Sequence, residues 1–242
     1  MNNVSIQFLG EQNFFMQEAY KFLRTNMQFS GADKKVFAFT SCYENEGKST
    51  VTLGISKCFA EMGKRTLFID TDMRKSVLAS KVNGNISNPG LSEMLSGMTT
   101  SENIITSTNV ENLFVVFVGR YPPNPAELLS SDVFSDFIAE CKQNFDYIII
   151  DTPPLGVVSD AAIVASVSDG VVLVVGNNKL NRKDALDVIA CLEGSNTPII
   201  GIVRNMCHRK SKFGYYNKSY KSYYSNKYYA YQKKPYSKEY KI

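Results

Sequence analysis

The sequence predicts an α/β fold: a mostly parallel sheet with helices on both faces, followed by a disordered C-terminal tail. Three observations carry this expectation. Val36-Phe37-Ala38-Phe39 is a short apolar run, followed by a polar turn, Gly47-Lys48-Ser49-Thr50 and a helix with apolar spacing at Leu53, Ile55 and Phe59. Further apolar runs recur, separated by helical patterns, and several end in acidic or polar residues, as buried parallel strands do. Near His208 the composition changes to Tyr, Lys, Ser and Asn.

Composition sets the outer limits. A chain of 242 residues is long enough for one α/β domain with a sizeable core. No apolar run approaches the roughly 20 residues needed to span a bilayer. Met1-Asn2-Asn3-Val4 does not begin a basic-then-apolar segment, so no secretory signal is expected. Five scattered cysteines, 42, 58, 141, 191 and 207, suit a reducing cytosol rather than a disulfide framework or a metal cluster. The single His208 stands beside Arg209 and Lys210 and reads as surface. The net charge of +4 hides two unlike parts. From His208 onward there are ten basic residues and one acidic, a charge of +9, against 17 basic and 22 acidic before it, or −5.

Taken in order, residues 1–13 are polar and weakly patterned. Phe14 to Phe29 predicts an amphipathic helix with Phe15, Ala19, Phe22 and Leu23 on one face. Glu18, Lys21 and Arg24 recur every third residue; from spacing alone they form a solvated stripe, the alternative being a subunit contact. The strand at Val36 and the helix from Ser49, stopping near Gly63, enclose a phosphate-binding loop. Helix-start N–H groups offer positive charge to a polyphosphate, Lys48 reaches its β and γ groups, and the Ser49 hydroxyl suits Mg²⁺. Cys42 stands where the full pattern has its first Gly, and Asn45 suits a left-handed turn.

A strand ending Ile69-Asp70-Thr71-Asp72-Met73-Arg74 brings two acids and an arginine to the sheet edge where α/β ligands sit. Asp70 and Asp72, two apart, are expected to face one side of an extended segment. Residues 80–110 read as a surface excursion around a short helix at Leu91–Gly97. Leu113–Val118 predicts a strand, Ala126 a helix after a Pro-rich loop, and Val133–Asn144 a longer helix. Ile148–Ile150 predicts a buried strand with Asp151 at its tip, stopped by Pro153 and Pro154. Val171–Val175 and Ile199–Val203 predict two strands around a helix at Arg182–Leu192. Asn205 then lies on the ligand edge, either as a hydrogen-bond partner for adenine or as a turn former. The tail has too few aliphatic residues to build a core.

The phosphate loop, Asp70-x-Asp72-x-Arg74, Ile-Ile-Ile-Asp151-Thr-Pro153 and the tyrosine-crowded tail together resemble the bacterial tyrosine kinase family. The match is to its stand-alone capsular and exopolysaccharide kinases of Gram-positive bacteria, over essentially the whole chain. The resemblance implies a P-loop kinase domain at 1–207, with an oligomerisation helix at 14–29, and a tyrosine-rich tail at 208–242. It implies ATP and Mg²⁺ as cofactors, bound by the loop residues Glu44, Asn45, Glu46, Gly47, Lys48, Ser49 and Thr50, with Arg74 and Asn205. Lys48, Asp70 and Asp72 are the implied catalytic residues, Asp70 being the preferred base; Ser49, Asp72 and Asp151 are the implied metal ligands. Glu18, Lys21 and Arg24 match a ring-assembly motif, with Lys21 standing for an Arg whose bidentate fork it cannot reproduce. Glu44-Asn45 stands where the family has Pro-Gly.

The implied phosphoacceptors are Tyr215, Tyr216, Tyr220, Tyr223, Tyr224, Tyr228, Tyr229, Tyr231, Tyr236 and Tyr240. They would be modified in trans within a ring-shaped homo-oligomer. The implied partners are a transmembrane activator and a cognate phosphotyrosine phosphatase, with no nucleic acid. The implied place is the cytoplasm, at the inner face of the membrane. The alternatives are a ParA/MinD-type positioning ATPase, against which Tyr43 stands where a lysine is usual, and a scaffold whose basic tail binds RNA or anionic lipid.

Overall fold

A computed structural model describes residues 3–8, 13–83, 89–176 and 182–207; the tail from His208 with its tyrosines lies outside the described residues. In chain order the elements are β1 (Asn3–Ile6), α1 (Phe14–Phe29), β2 (Val36–Ser41), α2 (Lys48–Ala60), β3 (Thr66–Asp70), a 3₁₀ turn (Leu78–Lys81) and β4 (Val82–Asn83). There follow α3 (Leu91–Leu95), α4 (Ser101–Ile104), β5 (Ile105–Thr108), β6 (Leu113–Val116), α5 (Pro125–Leu129), α6 (Asp132–Asn144) and β7 (Tyr147–Asp151). The last are α7 (Asp160–Ser166), β8 (Gly170–Gly176), α8 (Arg182–Glu193) and β9 (Ile199–Asn205).

Among the described residues the strands form one sheet in the order β4-β1-β5-β6-β3-β7-β2-β8-β9. Pairing is parallel except at β1–β4 and β5–β6. The alternation of strand side chains builds the two layers. Val36, Ala38, Leu67, Ile69, Ile148, Ile150, Val171 and Leu173 face a core closed by α3, α5, α6, α7 and α8. Phe37, Phe39, Phe68, Ile149, Val172 and Val174 face the other way, against α2, and Met27 of α1 joins that side. These strands are apolar on both faces because both are covered. No helix among the described residues is long and apolar enough to cross a membrane.

Three sequence expectations are corrected. In α1 the expected apolar face is displaced: Phe15 and Phe22 are 51% and 70% exposed, and Ala19 is exposed as well. The helix packs instead through Tyr20, Leu23 and Met27. Gly54 of α2 decides this, because a Cβ there would overlap the Tyr20 ring, which lies in the slot the glycine leaves. The Tyr20 hydroxyl donates to the Thr50 carbonyl at 3.2 Å, and burial pushes its pKa up to about 12.

The described part of residues 80–110 is not a surface excursion either. Leu91 and Ile104 are buried, and β5 enters the sheet between β1 and β6. Its Ile-Thr-Ser-Thr sequence is β-prone without being apolar, so the hydrophobic pattern hides it. The weakly patterned N-terminal segment contributes β1, whose Val4 and Ile6 are buried. Elsewhere α2 spans Lys48–Ala60, one turn shorter at its end than expected, and α7 is an addition.

Candidate active site

The loop between β2 and α2 takes its shape from local chemistry. Asn45 and Gly47 are left-handed, with φ 61° and 79°, conformations that suit Asn and Gly. At Gly47 a Cβ would also run into the Asn205 amide, which donates to the Glu46 carbonyl at 2.9 Å. The Asn205 side chain therefore braces the loop in this structure. The Glu46 side chain is buried and points inward. One of its oxygens accepts the N–H groups of Cys42 and Tyr43 at 2.9 and 3.0 Å, and the other accepts that of Gly176 at 2.9 Å. The carboxylate thus ties both ends of the turn to the tip of β8. Burial pushes the Cys42 thiol up to about 11, so it is an inert filler of the loop's first position.

Beneath the loop lie two carboxylates. Asp70 and Asp151 are register partners on adjacent parallel strands. Each follows Phe68 or Ile149 by two residues, so both lie on the α2 face of the sheet. Lys48, the first residue of α2, donates to Asp151 Oδ1 at 2.7 Å and to Ser49 Oγ at 3.2 Å. The Thr52 hydroxyl lies 3.1 Å from that Asp151 oxygen and 2.8 Å from the Lys48 carbonyl. Asp70 is 1% exposed, with one oxygen accepting the Asp72 N–H and the other the Ser76 hydroxyl. Burial, and next the charge of Asp151, push its pKa up to about 7.

Asp70 and Asp72 do not share a side. The strand ends at Asp70, so that residue remains enclosed while the chain turns outward at Asp72. Asp72 is half-buried and accepts the Lys75 N–H at 2.9 Å. A cleft of about 370 Å³ is lined by Asp72 and by the loop residues from Tyr43 to Thr50, with Pro153, Pro154 and Met206 on other walls. Asp70, the base preferred from sequence, lies below this lining, and Asp72 lies in it.

Arg74 lines the cleft too, but its guanidinium forks onto Asp160 at 2.8 and 3.0 Å, a bidentate pair with a buried carboxylate at the start of α7. That hydrogen-bonded pair holds the Arg74 pKa above its ordinary value. Lys75 bonds Glu44 at 2.6 Å, joining the two loops.

The Glu18, Lys21 and Arg24 stripe does not stay together. Glu18 and Lys21 form an exposed pair at 2.8 Å. Arg24 is half-buried and donates to the Cys58 carbonyl of α2 at 3.0 Å. A step of three residues rotates about 60° backwards around a helix, so two steps carry Arg24 to the packed side. The tyrosines expected to be phosphoacceptors lie outside the described residues.

Three contributors escape sequence reasoning: Ser76, which donates to Asp70; Asp160, which holds Arg74; and Lys81, which donates to the Thr50 hydroxyl. None of these contacts has a local motif to mark it. Glu46, expected among the nucleotide-binding residues, instead turns its carboxylate inward onto the N–H groups of Cys42, Tyr43 and Gly176, because a buried acid needs donors.

The residues present fit Mg²⁺ and a nucleotide. Two adjacent buried carboxylates, one with its pKa pushed up by burial and next by the charge of the other, form a site that a divalent cation would relieve. Ser49 and Asp72 line the adjoining cleft, together with Gly47 and Lys48 at the start of α2, the end of a helix that offers N–H groups to an anion.

Comparison with known proteins agrees with this fold. A family model described as an AAA domain matches residues 34–190. A tyrosine-protein kinase CpsD of Streptococcus agalactiae is 40% identical over 206 residues, covering 84% of this chain and 90% of that protein. The tyrosine-protein kinase YwqD of Bacillus subtilis is 34% identical over 214 residues, covering 86% and 89%. The crystal structure of the chimerical protein CapA2B2 superposes with a TM-score of 0.77 at 29% identity, covering 84% of this chain and 93% of that one.

Proposed function

Because the chain belongs to the bacterial tyrosine kinase family, we propose that it transfers the γ-phosphoryl group of ATP to tyrosines of its own C-terminal segment, in trans, within a homo-oligomeric ring. The chain is a protein-tyrosine kinase, and its process is capsular polysaccharide synthesis and export. The observation that carries the site reading is the burial of Lys48 against Asp151 at the root of a phosphate loop, with Asp70 alongside and Asp72 in the cleft.

Each residue takes a role from its place. Lys48 moves its ammonium between Asp151 and the β and γ phosphates. The loop N–H groups hold the polyphosphate, and Ser49, Asp72 and Asp151 hold Mg²⁺, which neutralises charge on the phosphates when bound. Phosphoryl transfer through a loose transition state depends chiefly on positioning and charge neutralisation, so the acceptor needs orientation more than a strong base. Asp72 faces the cleft and orients the phenol; Asp70 sits behind it and sets the local charge. Arg74, held by Asp160, shapes the wall, and Asn205 holds the loop.

The acceptors are the tail tyrosines from Tyr215 to Tyr240. Glu18 and Lys21 meet a neighbouring copy, and Arg24 fixes their helix to α2. The kinase works in the cytoplasm at the inner face of the membrane, recruited by a transmembrane activator and reset by a phosphotyrosine phosphatase.

The test is autophosphorylation with ATP and Mg²⁺, with and without an activator peptide. It compares the full chain, Lys48→Met and a chain ending at Lys212. Phosphotyrosine is expected in the full chain, reduced at least about 100-fold in Lys48→Met and absent from the shortened chain. Steady ATP hydrolysis without phosphotyrosine under any condition would replace this reading with that of a positioning ATPase.

A further inference from the structure

Four cations line the cleft among the described residues: Lys48, Arg74, Lys75 and Lys81. Three are ion-paired, to Asp151, Asp160 and Glu44. Lys81 is the exception. Its Nζ donates to the Thr50 hydroxyl at 2.8 Å, and among the described residues it forms no ion pair. We propose that Lys81 is a second phosphate-binding cation, contacting the polyphosphate of the bound nucleotide on the Thr50 side of the loop. The proposal rests on the nucleotide-binding reading above and adds a residue to it.

The backbone holds Lys81 in place. It ends the 3₁₀ turn that follows Asp70-x-Asp72-x-Arg74. Its carbonyl accepts the Gln7 N–H at 2.9 Å, and its neighbour Val82 is the register partner of Ile6. The amine is therefore delivered from a sheet ladder rather than from a free loop. A half-buried ammonium whose hydrogen-bond partner among the described residues is a neutral hydroxyl is poorly compensated. Burial first, and the nearby Lys48 among the charges, lower its pKa. An anion in the cleft would relieve both. The anion the adjoining loop is built for is a phosphate, and Thr50 is the last residue of that motif. The charges of Asp151 and Asp70 act the other way on Lys81, but neither carboxylate is ion-paired to it among the described residues, which leaves its ammonium available to a nucleotide phosphate. A lysine serves as a point charge here, without needing a fixed fork.

The experiment measures Mg·ADP binding by calorimetry to the full chain, Lys81→Gln, Lys81→Arg and Lys48→Met, at low and high salt. Lys81→Gln is expected to weaken binding about 10-fold and to flatten its salt dependence, and Lys81→Arg to recover most of both. A purely structural role for the Thr50 contact would lower thermal stability without changing the salt dependence. Affinity and salt dependence unchanged in Lys81→Gln, with Lys48→Met impaired, overturn the role of Lys81 and leave the nucleotide reading standing. No binding by the unaltered chain, or full binding by Lys48→Met, overturns both.

A second measurement needs no variant. The full chain is acylated by an amine-reactive reagent with and without Mg·ADP, and the modified lysines are mapped by mass spectrometry. Protection of Lys81 over the same nucleotide range as Lys48 supports the contact; Lys48 protected and Lys81 modified as before overturns it.

Discussion

Asp70 holds its proton where most carboxylates have lost theirs. Its pKa rises to about 7 through burial and the charge of Asp151. Across the window from about pH 4 to about pH 7 the folded chain therefore binds more protons than the unfolded chain, and folding stability falls as pH rises through it. Asp70→Asn removes that dependence. In a chelator, urea unfolding is expected to show the variant gaining on the natural chain by on the order of 2 kcal/mol between about pH 5 and about pH 8. Equal pH slopes for the two would contradict the placement of Asp70 beside Asp151. At this scale legibility is uneven. Gly47, Lys48 and Asp151 are readable because a short motif or a strand tip determines them. The inward turn of Glu46 and the capture of Arg74 by Asp160 depend on partners 130 and 86 residues away. Asp72 leaves the face of Asp70 because the strand ends at Asp70, two residues sooner than an extended reading assumes.

Among the elements, β2 and the α1–α2 pair set the position of the phosphate loop. β2 begins under Asp169, whose carboxylate accepts the Lys35 and Val36 N–H groups, both at 2.8 Å, and the Lys142 ammonium at 2.7 Å. Burial alone would raise its pKa; these hydrogen bonds prevail and hold it below the ordinary value. Its stabilising effect is present above the unfolded carboxylate pKa and is lost as pH falls through the folded one. Asp169→Ala is expected to lower stability at neutral pH by about 2 kcal/mol and to shrink the loss of stability on acidification.

Gly54→Ala tests the slot that seats α1. The added methyl meets the Tyr20 ring, and unfolding should show a loss of about 1–3 kcal/mol despite alanine's better helix propensity. Combining it with Tyr20→Ala should cost less than the two changes separately, because the clash is shared. The sequence shows that α1 is a helix, through its periodicity, but not which face it buries. Phe15, Phe22 and Tyr20 are all large and apolar enough, and the missing Cβ of a glycine in another helix makes the choice. β5 is hidden for a related reason: Thr and Ser pair well in a sheet without marking it.

For the whole molecule the charge division is the testable quantity. The segment from His208 carries +9 against −5 for the rest. A chain ending at Lys212 is expected to keep the thermal stability of the full chain, since the described core lies within residues 3–207. Each phosphate adds about −1.5 to −2 to a tyrosine, so roughly five would cancel the basic segment. For the proposed ring, heavy phosphorylation is then expected to cause dissociation, a change that light scattering would follow as a fall in mass; an unchanged mass would count against charge as the control. The parallel sheet was legible from its apolar runs because both faces are covered and the strands need no polar side. Its mixed margin at β1, β4 and β5 was not, since these strands are short and β5 is written in Thr and Ser. The Glu46 carboxylate reaches across this architecture, tying Cys42 and Tyr43 to Gly176 at the end of β8. A loop wound in advance has little conformational freedom left to surrender on meeting its ligand. Nucleotide capture should proceed by simple collision, in one kinetic phase, with a small heat-capacity change, whereas Glu46→Gln should slow association and introduce a second, concentration-independent phase.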